Sequence, residues 1–136
     1  KPTNKKKLIS APFSRHIKLF EGSSIDLKVF NKVKRAAKGK KVIVILDSNH
    51  SHKHVLKEIE MYSQLIKKNG YIIVQDTAIE FIEKKHVNKG RDFGQGNNPF
   101  TAVQKFLKQN SQFQIDKLYE NKALITSAIS GFLKKK

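Results

Sequence analysis

The sequence has no cysteine, so disulfides and thiolate metal sites are excluded outright. It has no apolar run near the roughly 20 residues that a membrane span requires. The basic opening Lys1-Pro2-Thr3-Asn4-Lys5-Lys6-Lys7 has no apolar core behind it and does not read as a signal peptide. A cytoplasmic location is therefore expected. An initiator Met is absent as well, and a fragment or processed chain is the expectation. Arginine is scarce: Arg15, Arg35 and Arg91 are three of the 28 basic residues. That scarcity bears on the net charge of +17, which by itself invites a nucleic-acid or other polyanion partner. Base-specific sites lean on the bidentate geometry of Arg, and here the lysines are scattered along the chain. The pattern weighs toward a solvated basic surface, with a polyanion patch as the alternative; the latter predicts binding that falls steeply with salt.

What is present is a single globular domain or part of one, at 136 residues and 38% apolar composition. A helical turn is expected over Lys5–Ser10, and Ile17–Phe20 alternates as a short strand ending at Glu21-Gly22-Ser23-Ser24. Asp26 is placed to cap a helix running to Lys38, with Leu27, Phe30, Val33, Ala36 and Ala37 on one face and Gly39 closing it. Val42-Ile43-Val44-Ile45-Leu46 is a β-branched run suited to a central parallel strand buried on both faces, followed by Asp47. A helix is expected from about His54 to Lys68, stopped by Asn69-Gly70. Tyr71–Val74 reads as a second buried strand, again ending on an acid, Asp76.

The stretch 77–97 is long and polar, and loops of that length in compact domains are often lids. Pro99 suits the first turn of a helix to about Lys108. Phe113–Leu118 and Ala123–Ser127 are expected as a tight antiparallel hairpin, and 129–136 as a frayed tail. No internal repeat is visible. The order of elements predicts an α/β fold with a terminal antiparallel pair, and the oligomeric state, a homo-oligomer included, is left open.

In open parallel sheets ligands bind beyond the carboxyl ends of the strands, where Asp47 and Asp76 fall. If their strands are neighbours, about 4.8 Å apart, the two carboxylates can reach one cation. Oxygen ligands suit Mg²⁺ better than zinc. The alternative for each acid alone is a helix cap. His50, His52 and His54 alternate, but in a helix the middle one turns away from the other two, so three surface histidines at a loop–helix junction are the preferred reading. His50, three residues past Asp47, is a candidate general base. The Gly90…Gly94-Gln95-Gly96-Asn97-Asn98-Pro99 stretch lacks the Lys-Ser/Thr ending of a Walker loop. It reads either as a flexible loop opening a helix or as a lid in which Asn97 and Asn98 bond a substrate.

Taken together, Leu46-Asp47-Ser48-Asn49-His50-Ser51-His52, Asn69-Gly70-Tyr71-Ile72-Ile73-Val74-Gln75-Asp76-Thr77 and Gly96-Asn97-Asn98-Pro99-Phe100-Thr101-Ala102-Val103 resemble the cephalosporin hydroxylase / rhamnosyl O-methyltransferase family. Glu21-Gly22-Ser23-Ser24-Ile25-Asp26 and Glu120-Asn121-Lys122-Ala123-Leu124-Ile125-Thr126 are similar to it too, so the resemblance spans nearly the whole chain. It implies a Rossmann-like methyltransferase sheet, S-adenosylmethionine as methyl donor, Mg²⁺, and a sugar or small-molecule hydroxyl as acceptor. It also implies that Asp47, Gln75 and Asp76 ligate the metal, that Gly22, Ser23 and Ser24 lie near the adenine, and that His50 stands beside the acceptor hydroxyl. The sequence departs from the family in two ways. Gln75 stands where an acid is usual, which lowers the charge offered to a cation. The family's first two strands, with the glycine-rich turn and the ribose-binding acid, have no counterpart in the chain. A partial domain, weakly active or inactive by itself, is the expectation.

Overall fold

Helix α2 (Leu27–Ala37) starts where its sequence says it should. The Asp26 carboxylate accepts from the backbone N–H groups of Lys28 (2.6 Å) and Val29 (3.3 Å), satisfying two of the donors that a helix start leaves open. The computed structural model describes residues 2–86 and 90–136. Within it, α1 (Pro2–Ile9) precedes α2, and strand β1 (Val44–Leu46) follows. Next come α3 (His52–Tyr62), β2 (Tyr71–Val74), α4 (Pro99–Gln109), β3 (Phe113–Ile115), α5 (Lys117–Ala123) and β4 (Phe132–Lys135).

The strands form one mixed sheet in the order β1-β2-β4-β3. β1 and β2 are parallel, with Leu46 opposite Val74; β4 is antiparallel to both β2 and β3, with Leu133 opposite Ile72 and Ile115. One face of the sheet carries Val44, Leu46, Ile72, Val74 and Leu133 into a core with Val55, Ile59 and Tyr62 of α3 and Ala102, Val103 and Phe106 of α4. Phe30 of α2 joins that core edge-on to Tyr62, ring centroids 5.3 Å apart. α4 is closed at its start by a reciprocal cap: Asn98 Oδ1 accepts from Thr101 N, and Thr101 Oγ1 accepts from Asn98 N.

Several expectations are corrected. Residues Ile17–Phe20 form no strand; a 3₁₀ turn at Ser14–His16 precedes them and Leu19 and Phe20 stay exposed. Alternation is a local property, whereas a strand requires a partner to bond with. β1 is not central and not buried on both faces. It is the edge of this sheet, and Ile43 and Ile45 are 65% and 62% exposed on its open face. α3 begins at His52 and gives way after Tyr62 to a 3₁₀ turn, Ser63–Leu65, short of Lys68. The stretch after β2 holds 3₁₀ turns at Thr77–Phe81 and Lys84–His86, while residues 87–89 of the expected lid lie outside the described residues.

The largest correction is at the carboxyl end. The residues expected to turn a hairpin, Tyr119–Lys122, lie in α5, and Leu124 and Ile125, expected in a strand, are almost fully exposed. The partner of β3 is instead β4, in the segment expected to fray. The Asp116 carboxylate explains the difference, because it accepts from Leu118 N at 3.0 Å and starts a helix where a strand was expected to continue. The antiparallel pair exists, with a helix between its strands.

Tyr71 of β2 fixes that helix start. Its hydroxyl donates to Asp116 Oδ2 at 2.6 Å, and Tyr119 of α5 packs edge-on against its ring. The bond favours the neutral phenol and, with burial, pushes the Tyr71 pKa from 10.0 up to about 12. The same hydrogen bond, followed by that from Leu118 N, holds the Asp116 carboxyl below its ordinary value. A raised pKa in the folded state means stabilisation that is complete below the ordinary tyrosine value and is lost as pH rises through about 12. In an absorbance titration Tyr71 is expected to ionise well above the ordinary tyrosine value, at about 12. Tyr71→Phe should remove that high-pH component; loss of an ordinary-range tyrosine component instead would show that the bond does not form.

Candidate metal centre

The ladder between β1 and β2 extends one bond past both strands, Gln75 N donating to Leu46 O at 3.0 Å. Asp47 and Asp76 therefore leave neighbouring strand ends side by side. Asp76 adopts left-handed backbone angles, φ 56° and ψ 25°, which a short polar residue tolerates better than most. His50 comes from the loop between β1 and α3, where Asn49 Oδ1 accepts from both the N–H and the hydroxyl of Ser51 and bends the chain back.

His50 Nε2 lies 2.7 Å from Asp76 Oδ2 and 3.9 Å from Asp47 Oδ1. One ligand atom from each of Asp47, His50 and Asp76 lies within 4.8 Å of the others. Their side chains are 64%, 16% and 41% exposed, so the acids face solvent and the imidazole is the sheltered member. An ionised carboxylate can only accept, so Nε2 carries the proton in the bond to Asp76 and neutral His50 keeps Nδ1 as an acceptor. The two carboxylates offer oxygen donors suited to a hard divalent cation, and His50, with its Nε2–H engaged by Asp76, stands beside them rather than among the donors.

The other residues singled out in the sequence are placed as follows. Gln75 is next to the acids in sequence, but its Oε1 accepts from Ser127 Oγ at 2.9 Å. Asn97 Oδ1 accepts from His52 N, and its Nδ2 donates to Asp92 O. Asn98 is buried, bonding Glu80 and Gly94 O besides capping α4. Both asparagines thus tie the 94–98 loop to α3 and α4. Gly22 has φ 128° and sits where a Cβ would lie 2.7 Å from Val29 Cγ2, so the turn packs directly on α2. Ser23 is exposed, its carbonyl accepting from Asp26 N. Ser24 Oγ lies 3.0 Å from His54 Nε2, and Ser24 O accepts from the Tyr62 hydroxyl.

The three alternating histidines serve three different partners: His50 meets Asp76, His52 Nδ1 meets Thr101 Oγ1 at 2.7 Å, and His54 meets Ser24. They are part-buried rather than surface residues. Away from the site, Lys34, Arg35, Lys38, Lys40 and Lys67 line a groove near the amino end of β1.

Two residues at the site escaped the sequence reading. Phe93 stacks on His50 with ring centroids 5.0 Å apart, and the Arg91 guanidinium lies over Phe93. No sequence spacing relates residue 93 to residue 50. Glu58 was missed too, although a signal was there: it is an acid on the face of α3 that otherwise carries Val55, Ile59 and Tyr62, and it is buried there.

The chain is thus an α/β protein with two acids closing adjacent parallel strands, the edge at which open α/β sheets bind ligands. The family described as Rhamnosyl O-methyltransferase/CmcI matches residues 1–136. The chain belongs to that family. It is 33% identical over 116 residues to the rhamnosyl O-methyltransferase of Mycobacterium bovis (strain BCG / Pasteur 1173P2), covering 83% of this chain and 44% of that protein. It is equally similar to that of Mycobacterium tuberculosis (strain ATCC 25618 / H37Rv). With that of Mycobacterium leprae (strain TN) it shares 32% identity over 97 residues, 71% of this chain and 39% of that protein. The chain thus spans less than half the length of the curated relatives it matches. No solved structure matches it. Among the described residues no helix is long and apolar enough to cross a membrane.

Proposed function

We propose that this chain forms the metal-side part of a Rossmann-like, S-adenosylmethionine- and Mg²⁺-dependent O-methyltransferase acting on a sugar hydroxyl. The observation that carries this reading is the convergence of Asp47, His50 and Asp76 at the ends of paired parallel strands. The relatives' name supports rhamnose as the class of acceptor.

Asp47 and Asp76 would hold the cation through their carboxylate oxygens. Gln75 would join them through its amide oxygen after leaving Ser127, adding a ligand without adding charge. Bound Mg²⁺ supplies Lewis acidity that lowers the pKa of an acceptor hydroxyl, and S-adenosylmethionine supplies the methyl group. His50, held through Nε2–H by Asp76, offers Nδ1 to take the hydroxyl proton. Phe93 covers its ring and limits competing water. Asn97 and Asn98 keep the loop beside this edge in shape. The exposed Gly22-Ser23 backbone, with Ser24, is available to the donor's adenine.

The open edge and face of β1 support the view that this domain is partial. Ile43 and Ile45 lie where a further strand and its helix would cover them, and that strand would carry the rest of the donor's cradle. Calorimetry on this chain tests both points. Mg²⁺ is expected to bind, and S-adenosylhomocysteine only weakly. Absence of Mg²⁺ binding would overturn the metal assignment, and tight S-adenosylhomocysteine binding would overturn the partial-domain argument.

A further inference from the structure

Glu58 is 2% exposed, on α3 beneath the β1 end. Its Oε1 accepts from the Ser48 hydroxyl at 2.8 Å and lies 3.7 Å from His54 Nε2. Among the described residues its Oε2 is buried without a hydrogen-bond partner. A buried carboxylate that leaves one oxygen unmatched is costly, and folded proteins contain few of them. The core would be better served by an apolar residue at this place on α3. The groups around Glu58 suggest what it does.

Ser48 follows Asp47 directly, so Glu58 grips the loop that carries Asp47 and His50. His54 Nε2, on the other side, lies 3.0 Å from Ser24 Oγ and 3.4 Å from Ser48 Oγ. Tyr62, one turn of α3 further on, donates to Ser24 O at 3.0 Å, and burial together with the Glu58 charge pushes its phenol pKa up. Ser24, His54, Glu58 and Ser48 therefore form one polar cluster at the margin of the apolar core, with hydrogen bonds from Ser24 to His54 and from Ser48 to Glu58, and with His54 facing Glu58 at 3.7 Å. It joins the Gly22–Ser24 turn to the Asp47–His50 loop, segments that the backbone connects only through the whole of α2 and β1.

We propose that Glu58 is a positioning residue that couples these two segments, so that occupancy of the acid cluster changes the set of the Ser24 turn. This rests on the metal reading given above. Thermodynamic reciprocity then requires a ligand held by the turn to change cation affinity by the same factor. The Glu58 carboxylate suits the task because it is buried and tied to the loop through Ser48, so it has little water to replace a lost partner.

The test is amide NMR of this chain during Mg²⁺ titration, for the wild type and for Glu58→Gln, which keeps the shape and an oxygen acceptor. In the wild type, Mg²⁺ should shift the amides of Asp47, His50 and Asp76, and also those of Ser23 and Ser24. In Glu58→Gln the first group of shifts should persist and the second should be lost. Ser24 shifts that persist in Glu58→Gln, or that are absent from the wild type while Asp47 responds, overturn the coupling. If no amide responds to Mg²⁺, the metal reading has failed. Ser48→Ala then replaces the cation as the perturbation, and its effect at Ser24 must be present with Glu58 and absent with Gln for the coupling to stand.

Discussion

Asp76→Asn is expected to weaken binding of Mg²⁺ or Mn²⁺ by about ten-fold or more while leaving thermal stability nearly unchanged. The substitution removes one negative charge from a cluster in which two carboxylate oxygens and an imidazole nitrogen lie within 4.8 Å. The side chain is 41% exposed, so the Coulomb loss is well below its interior value, and a screened figure of about 1–2 kcal/mol corresponds to roughly a factor of ten. Asn preserves what Asp76 contributes to the fold. It tolerates a φ of 56°, and its Oδ1 still accepts from His50 Nε2–H. Asp76→Ala would confound the result, because alanine is strained at that φ. Titration calorimetry beside a thermal melt separates the two effects. Unchanged affinity in Asp76→Asn would remove Asp76 from the ligand set.

Leu133→Asp is expected to unfold the chain. Leu133 is fully buried in β4, opposite Ile72 on one side and Ile115 on the other. Truncation to Ala at such a place costs about 2–5 kcal/mol. A carboxylate there would add the desolvation of an unpaired charge, which exhausts a typical margin of roughly 5–15 kcal/mol. The backbone leaves no room to retreat, since a Cβ on Gly131, at the entry to β4, would lie 2.3 Å from Val74 O. Circular dichroism should show loss of the cooperative transition. Were 129–136 a frayed tail, as the lysine-rich ending predicts, Leu133→Asp would leave the melt unchanged.

That contrast shows where sequence reasoning stops. Helix α2 was readable because its signals are local: Asp26 caps the start and Phe30, Val33, Ala36 and Ala37 mark the covered side, although Leu27, expected there, is 66% exposed and Val29, not expected there, is buried. α4 was readable for the same reason, from Asn98-Pro99 and the residues that follow. β2 was readable because four apolar residues lie between a Gly and an acid. β4 was not, since Phe132-Leu133-Lys134-Lys135 looks like a charged terminus in isolation. Its lysine stems lie along a sheet, and its place between β2 and β3 is set by backbone hydrogen bonds to residues about twenty and sixty positions away. Nor could the sequence show that Asp116 would start a helix instead of sitting inside a strand. That outcome depends on Tyr71, reaching across from another strand.

The site divides in the same way. By itself the sequence determined that two acids end two strands, that a histidine follows the first of them, and that the family is one of O-methyltransferases. These are matters of local order and motif. Only the tertiary structure decided that His50 rather than Gln75 meets Asp76, that Phe93 lies over the imidazole, and that Glu58 accepts from Ser48 beside the His54 that meets Ser24. Each of these depends on side-chain directions at the ends of elements remote in sequence. Those directions are fixed by packing and by the need to satisfy buried polar atoms, neither of which local spacing encodes.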